Sequence, residues 1–233
     1  MLGVERRGRK PPTLCWGSLN TLKKEKKMPR FDQNDEPGDV FSQWMEKREK
    51  HYQKFLGKMS EGVMHSINEH EVHVDIYQFE PNKKRPFWTL ITGGMSDKRQ
   101  NVPAEVDWAS GRTEVLAYVK EPYDRIFATL KLIAEMPFEE DSFMHWYHTI
   151  SVGEPVTQRQ TELTCVFLMP PIFEKPKFDS LYIGRDKVDF LMMVPITVQE
   201  RHFAKQNGPE ALLEVFEQAN LGPVCDENRK SLV

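Results

Sequence analysis

Three cysteines in 233 residues are too few and too scattered to staple a fold. Cys15, Cys165 and Cys225 form no Cys-x-x-Cys pair. An odd, dispersed set argues against a disulfide framework and fits a reducing compartment. Cys165 lies in an apolar run, where a buried thiol behaves as a small hydrophobe. No stretch approaches the ~18 consecutive apolar residues of a membrane-crossing helix. Catalytic signatures are missing as well: the chain has no G-x-S-x-G elbow and no H-E-x-x-H zinc pair. One strand-like run ends in glycines, "FWTLITGGMS" (87–96). A phosphate loop fails there, because Gly93 and Gly94 are adjacent and no Lys-Ser/Thr follows at the required distance. A tight turn needing positive φ, with Phe87–Ile91 as a core strand, is the expected use of Gly93 and Gly94.

The net charge of −3 conceals an asymmetry. Residues 1–27 carry eight Lys/Arg against Glu5 and Glu25, net +6, so the remainder holds 24 basic and 33 acidic residues, net −9. An acidic body disfavours phosphate backbones and favours basic partners. The basic start has no continuous apolar segment and no small-residue cleavage site, so it does not read as a secretory signal. Residues 1–38 are expected to form a basic, disordered tail and linker, and Met28 is an alternative translation start. A nucleic-acid-binding arm is the sharper reading of that tail, though no aromatics interleave with its charges.

From residue 39 the periodicity becomes structural. Phe41, Trp44, Met45, Tyr52, Phe55, Leu56 and Met59 recur at helical spacing. Glu46–Lys50 reads as the solvated middle of that helix, with Asp39 as its cap. "HEVHVDIYQFEP" alternates as a half-buried strand. "PFWTLIT" and "RTEVLAYV" (112–119) are further strands. A helix opening at Pro122 buries Tyr123, Ile126, Phe127, Leu130 and Ile133. Pro137 is expected to stop it and begin a short second helix. Residues 162–171 and 187–196 are two more strands. Thr197-Val-Gln-Glu200 is a capping box for a helix ending at Asn207-Gly208. A last helix from Pro209 buries Leu212, Val215, Phe216 and Ala219. Grouped strands, not strict strand–helix alternation, give an α+β class: one domain (39–233) with a mixed, largely antiparallel sheet covered by helices.

Two histidine clusters, His65/His70/His73 and His145/His148, are the raw material for a metal site, with Asp75 as carboxylate, and for a metal-dependent hydrolase. Their spacing matches no established ligand pattern. Glu139, Glu140 and Asp141 read as exposed acids near a helix start, where they complement the dipole. No cofactor or catalytic residue is expected.

The ordered motifs carry a resemblance. "TLITGGMS", "RTEVLAYV", "DRIFATLKLIAEMPF", "ISVGEPV", "CVFLMPP" and "VDFLMMVPITVQERHFAKQNGPEALLEVFEQ", closed by "DENRKS", together resemble the suppressor-of-fused-like domain over roughly 61–231. That resemblance implies a non-enzymatic protein-binding domain. Animal relatives restrain a transcription factor and carry an additional C-terminal domain. This chain stops where the first domain ends and looks like the stand-alone bacterial form. Members of that group are proposed to be cytoplasmic immunity proteins that neutralise a toxin domain encoded nearby. Candidate partner anchors, chosen as aromatic, Arg or His residues at or near loops, are Trp108, Arg112, Trp146 and His148.

Overall fold

A mixed seven-stranded sheet forms the centre of the computed structural model, which describes residues 37–64, 72–157, 160–224 and 226–233. Along the chain come α1 (Pro37–Leu56), β1 (Asp75–Phe79), β2 (Trp88–Gly93), β3 (Arg112–Val119), α2 (Asp124–Glu139), β4 (Thr149–Ser151) and β5 (Cys165–Met169). After these come β6 (Tyr182–Ile183), β7 (Asp186–Ile196), α3 (Val198–Asn207) and α4 (Pro209–Gln218), while 3-10 turns occupy Met95–Asp97 and Pro176–Ser180. The spatial order is β1-β2-β3-β7-β5-β4, with β6 paired to the start of β7. Only β3 and β7 run parallel, in register from Arg112–Val188 to Leu116–Met192; every other pair is antiparallel. The α+β expectation is therefore what this chain forms.

Strand alternation sorts the sheet's side chains into two cores. On one face Ile76, Leu90, Val115, Ala117 and Leu191 pack against Ile126, Leu130 and Ile133 of α2. On the other, Tyr77, Ile91, Leu116, Phe167 and Phe190 pack with Tyr52 and Leu56 of α1 and Leu212 and Phe216 of α4. The strand read as half-buried, β1, is thus buried on both faces although it lies at the sheet edge. Helix α1 covers the side that alternation alone assigned to solvent.

Several boundaries differ from the sequence reading for local reasons. Pro137 does not end α2, which continues to Glu139. A proline in the last turn forfeits only one ladder bond, and the Glu140 N–H still reaches the Met136 carbonyl. No second helix follows, because Asp141 takes positive φ (47°) and redirects the chain. Glu139–Asp141 therefore sit at a helix C-terminus, not at a start. Ala219 is exposed rather than part of the buried face of α4. The Thr197 cap forms both expected bonds: Thr197 Oγ1 accepts from the Glu200 N–H, and the Glu200 carboxylate accepts from the Thr197 N–H. Pro195 is tolerated inside β7 because pairing with β3 has ended at Met192, leaving one neighbouring strand there.

Phe190 is fully buried, with its ring 4.3 Å from Phe178 and 6.1 Å from Tyr52. Phe190→Ala is expected to cost about 3–5 kcal/mol. Urea denaturation checks this as a lower midpoint with unchanged slope.

Candidate interaction surface

The Gly93-Gly94 turn does hold an anion, and the anion is the protein's own Glu114. Gly94 has φ 109°, and a Cβ there would lie 2.1 Å from the His73 carbonyl oxygen. Gly93 ends β2, where a Cβ would lie 2.4 Å from the Tyr77 ring. The positive φ turns the Gly94 and Ser96 N–H groups onto Glu114 Oε1, at 3.1 and 3.0 Å. Ser96 Oγ donates to the same oxygen at 2.6 Å, and Thr92 Oγ1 donates to Oε2 at 2.6 Å. Glu114 is fully buried, which pushes its carboxyl above the ordinary value; Arg48 and these donors pull it back.

Arg48 was expected in a solvated stretch but is 2% exposed. Its Nε lies 3.9 Å from Glu114 Oε1, and its guanidinium forks onto both oxygens of Asp97, Nη2 at 3.0 Å. Burial alone would lower its pKa, but the two carboxylates outweigh that and raise it. Tyr52, one turn along α1, donates to the Thr92 carbonyl at 2.9 Å. This network ties α1 to the turn after β2.

Beside it, the loop between Met95–Asp97 and β3 carries Trp108. The loop is fixed by Gln100: its amide nitrogen reaches Thr113 Oγ1, and its amide oxygen accepts from the Met144 N–H at 2.5 Å. Trp108 is 57% exposed, and its ring edge meets His145 at 4.8 Å. His145 is 1% exposed and also meets Trp146 at 4.5 Å. His145 Nε2 lies 3.1 Å from Asp189 Oδ2, and its Nδ1 is buried with no hydrogen-bond partner among the described residues. Burial pushes Asp189 up, but the bonds from His145 and the Ser110 N–H outweigh it and hold the carboxyl below its ordinary value. Trp146 Nε1 donates to the Phe190 carbonyl at 2.9 Å, so one edge of the indole is anchored.

A His–Asp pair is the geometry of a general base. Ser110, whose N–H also reaches Asp189, commits its hydroxyl to the Arg112 backbone, and no nucleophile is presented to the pair through it.

Of the four expected anchors, the structure brings Trp108 and Trp146 together on either side of His145. His148 is half-buried, 5.2 Å from the Phe143 ring, and burial followed by the neighbouring His145 lowers its pKa. Arg112 is mostly enclosed. Its Nε reaches Asp186 Oδ2 at 2.9 Å, its Nη1 donates to the Ser96 carbonyl at 2.6 Å, and it lies over the Trp44 ring.

For the metal alternative, His65 and His70 lie outside the described residues. His73 is exposed and pairs with Asp75 at 3.0 Å. Among the described residues no group of three or more His, Cys, Asp or Glu side chains is placed to hold a metal ion. No described helix is long and apolar enough to cross a membrane. The basic tail also lies outside the described residues.

Sequence reading missed Arg48, Glu114 and Asp189. The only signal for the first was an arginine near the apolar stripe of α1. The other two are acids inside strands otherwise dominated by apolar residues.

Residues 70–230 match the family model "Suppressor of fused protein (SUFU)". None of the curated proteins matches. Among solved structures, a Neisseria gonorrhoeae protein described as a SUFU homolog is similar at 19% identity and TM-score 0.67, over 82% of this chain and 98% of that one. A chain of the Sufu–Fu complex is similar at 12% identity and TM-score 0.57, over 83% and 92%. Drosophila Suppressor of Fused is similar at 13% identity and TM-score 0.58, over 81% of this chain and half of that one.

Arg48→Met is expected to destabilise the fold by about 3–5 kcal/mol at pH 7, because it strands a buried carboxylate. A raised carboxyl pKa in the fold favours the protonated state. The deficit is therefore largest above that raised value and shrinks as pH falls toward the ordinary ~4.3. Adding Glu114→Gln should recover part of the loss, which a thermal-melt double-mutant cycle measures. Gly94→Val combines positive φ with the backbone overlap and is expected to cost more than about 2 kcal/mol. An unchanged melting temperature would show that the turn does not need glycine.

Proposed function

The chain belongs to the suppressor of fused family, and we propose that it is a non-catalytic domain that binds a protein partner by occluding a surface. The observation that carries this reading is the exposed Trp108 held against buried His145 and half-buried Trp146. Exposed indoles on a fixed loop are the kind of rigid anchor that dominates interface energetics. Trp146 meets the same His145 ring, and Arg112 braces the turn through the Ser96 carbonyl and Asp186.

Two further observations support the protein-binding class. A Sufu in this fold is found in complex with Fu. The buried charges of Glu114, Arg48 and Glu200 are spent on internal structure.

The finer reading is a stand-alone bacterial immunity protein of the cytoplasm, acting on a toxin domain encoded nearby. The Neisseria relative supports only the bacterial part of that reading, since this chain covers nearly all of that protein's length. The net charge of −9 outside residues 1–27 suits a basic partner.

Co-expression with the product of the adjacent gene tests the proposal. The expected result is a co-purifying complex and relief of any toxicity. Trp108→Ala should weaken that complex by about 1–2 kcal/mol or more without changing the melting temperature. Failure to bind any neighbour-encoded protein, with no relief of toxicity, would overturn it.

A further inference from the structure

The loop that carries Trp108 also presents carboxylates to solvent. Glu105 and Asp107 are exposed on the same loop as the indole. The segment Glu140–Asp141 runs beside that loop: Asn101 Nδ2 reaches Asp141 Oδ1 at 3.1 Å, and the Asn101 N–H reaches the Ser142 carbonyl at 3.3 Å. Glu105, Asp107 and Glu140 have no ion pair among the described residues. The nearby cations are already engaged: Arg99 lies 3.4 Å from Asp186 and donates to the Ser110 carbonyl, Lys187 lies 3.4 Å from Asp189, and Lys98 lies over the Phe138 ring.

We propose that this face receives an arginine-rich segment of the protein partner, with one guanidinium stacked on the Trp108 indole and its neighbours paired with Glu105, Asp107 and Glu140. The inference rests on the protein-binding reading above and adds the chemistry of the partner. Two features point the same way. Tryptophan offers the strongest aromatic face to a cation, and a planar guanidinium stacks on it better than an ammonium. Unpaired carboxylates repel phosphate backbones and attract basic chain.

Fluorescence anisotropy with labelled peptides tests the proposal, using alternating Arg-Gly, Lys-Gly and Glu-Gly sequences. The arginine peptide is expected to bind tightest and the glutamate peptide not at all, with affinity falling as salt shortens the range of the charges. Trp108→Ala should weaken arginine-peptide binding about tenfold. The triple variant E105Q/D107N/E140Q should weaken it similarly and flatten its salt dependence. The control E214Q/E217Q, on the exposed side of α4, should leave it unchanged. Unchanged melting temperatures confirm that each variant is folded. Equal binding by wild type and Trp108→Ala, or equal loss in the α4 control, would show diffuse charge attraction and overturn the proposal. The co-purified partner separates the two levels of inference. If it binds and ignores all these substitutions, this surface and its basic occupant fall while the protein-binding reading stands. If no partner binds at all, the protein-binding reading falls.

Discussion

A carboxylate with no access to water is the constraint on which much of this molecule is arranged. Glu114 sits in the third strand, between two apolar cores, where an unsatisfied charge is worth several kcal/mol of destabilisation. Its solution recruits two separate pieces of chain, the segment 92–96 and α1. The glycine turn supplies two N–H groups, Ser96 and Thr92 supply hydroxyls, and Arg48 supplies the countercharge from α1. None of these groups can move far without exposing the charge to an apolar surrounding. The position of α1, the strained turn and the start of β3 are thereby fixed together.

The same turn sets the floor of the proposed interaction surface. Arg112 holds the Ser96 carbonyl and also Asp186, so the 3-10 turn, β3 and β7 meet at one point. Asp189, three positions further along β7, then gathers His145 and the Ser110 N–H. Trp108 lies on the short loop between these fixed ends. A large apolar side chain is exposed there on a scaffold that leaves it little freedom, which lowers the entropy lost when a partner docks. The surface is a product of buried electrostatics, although what it presents to solvent is an aromatic face.

A second buried carboxylate repeats the device at the other end of the sheet. Glu200 completes the capping box of α3 and accepts two bonds from Arg229 (2.5 and 2.9 Å) and one from the Leu232 N–H. The closing segment of the chain is thus pinned to the helix that follows β7. In both places an acid that a hydropathy pattern would place in solvent is fully enclosed because each carboxylate oxygen has a donor.

Much of the fold was legible in the sequence. Strand and helix periodicities located five of the seven strands, missing only the short β4 and β6, and all four α-helices, and the Thr197 box marked one helix start to the residue. The family resemblance rested on the order of those same motifs. The sequence by itself determined which segments are strands or helices and which faces are apolar, because those properties depend on neighbours two to four residues away. Only the tertiary structure decided what the polar residues do. Arg48 and Glu114 are 66 positions apart, and His145 and Asp189 are 44 apart. Nothing local distinguishes a buried, paired charge from a solvated one. The glycine pair shows the division most plainly: its need for a turn could be read from two adjacent residues, while the carboxylate that the turn encloses comes from another strand.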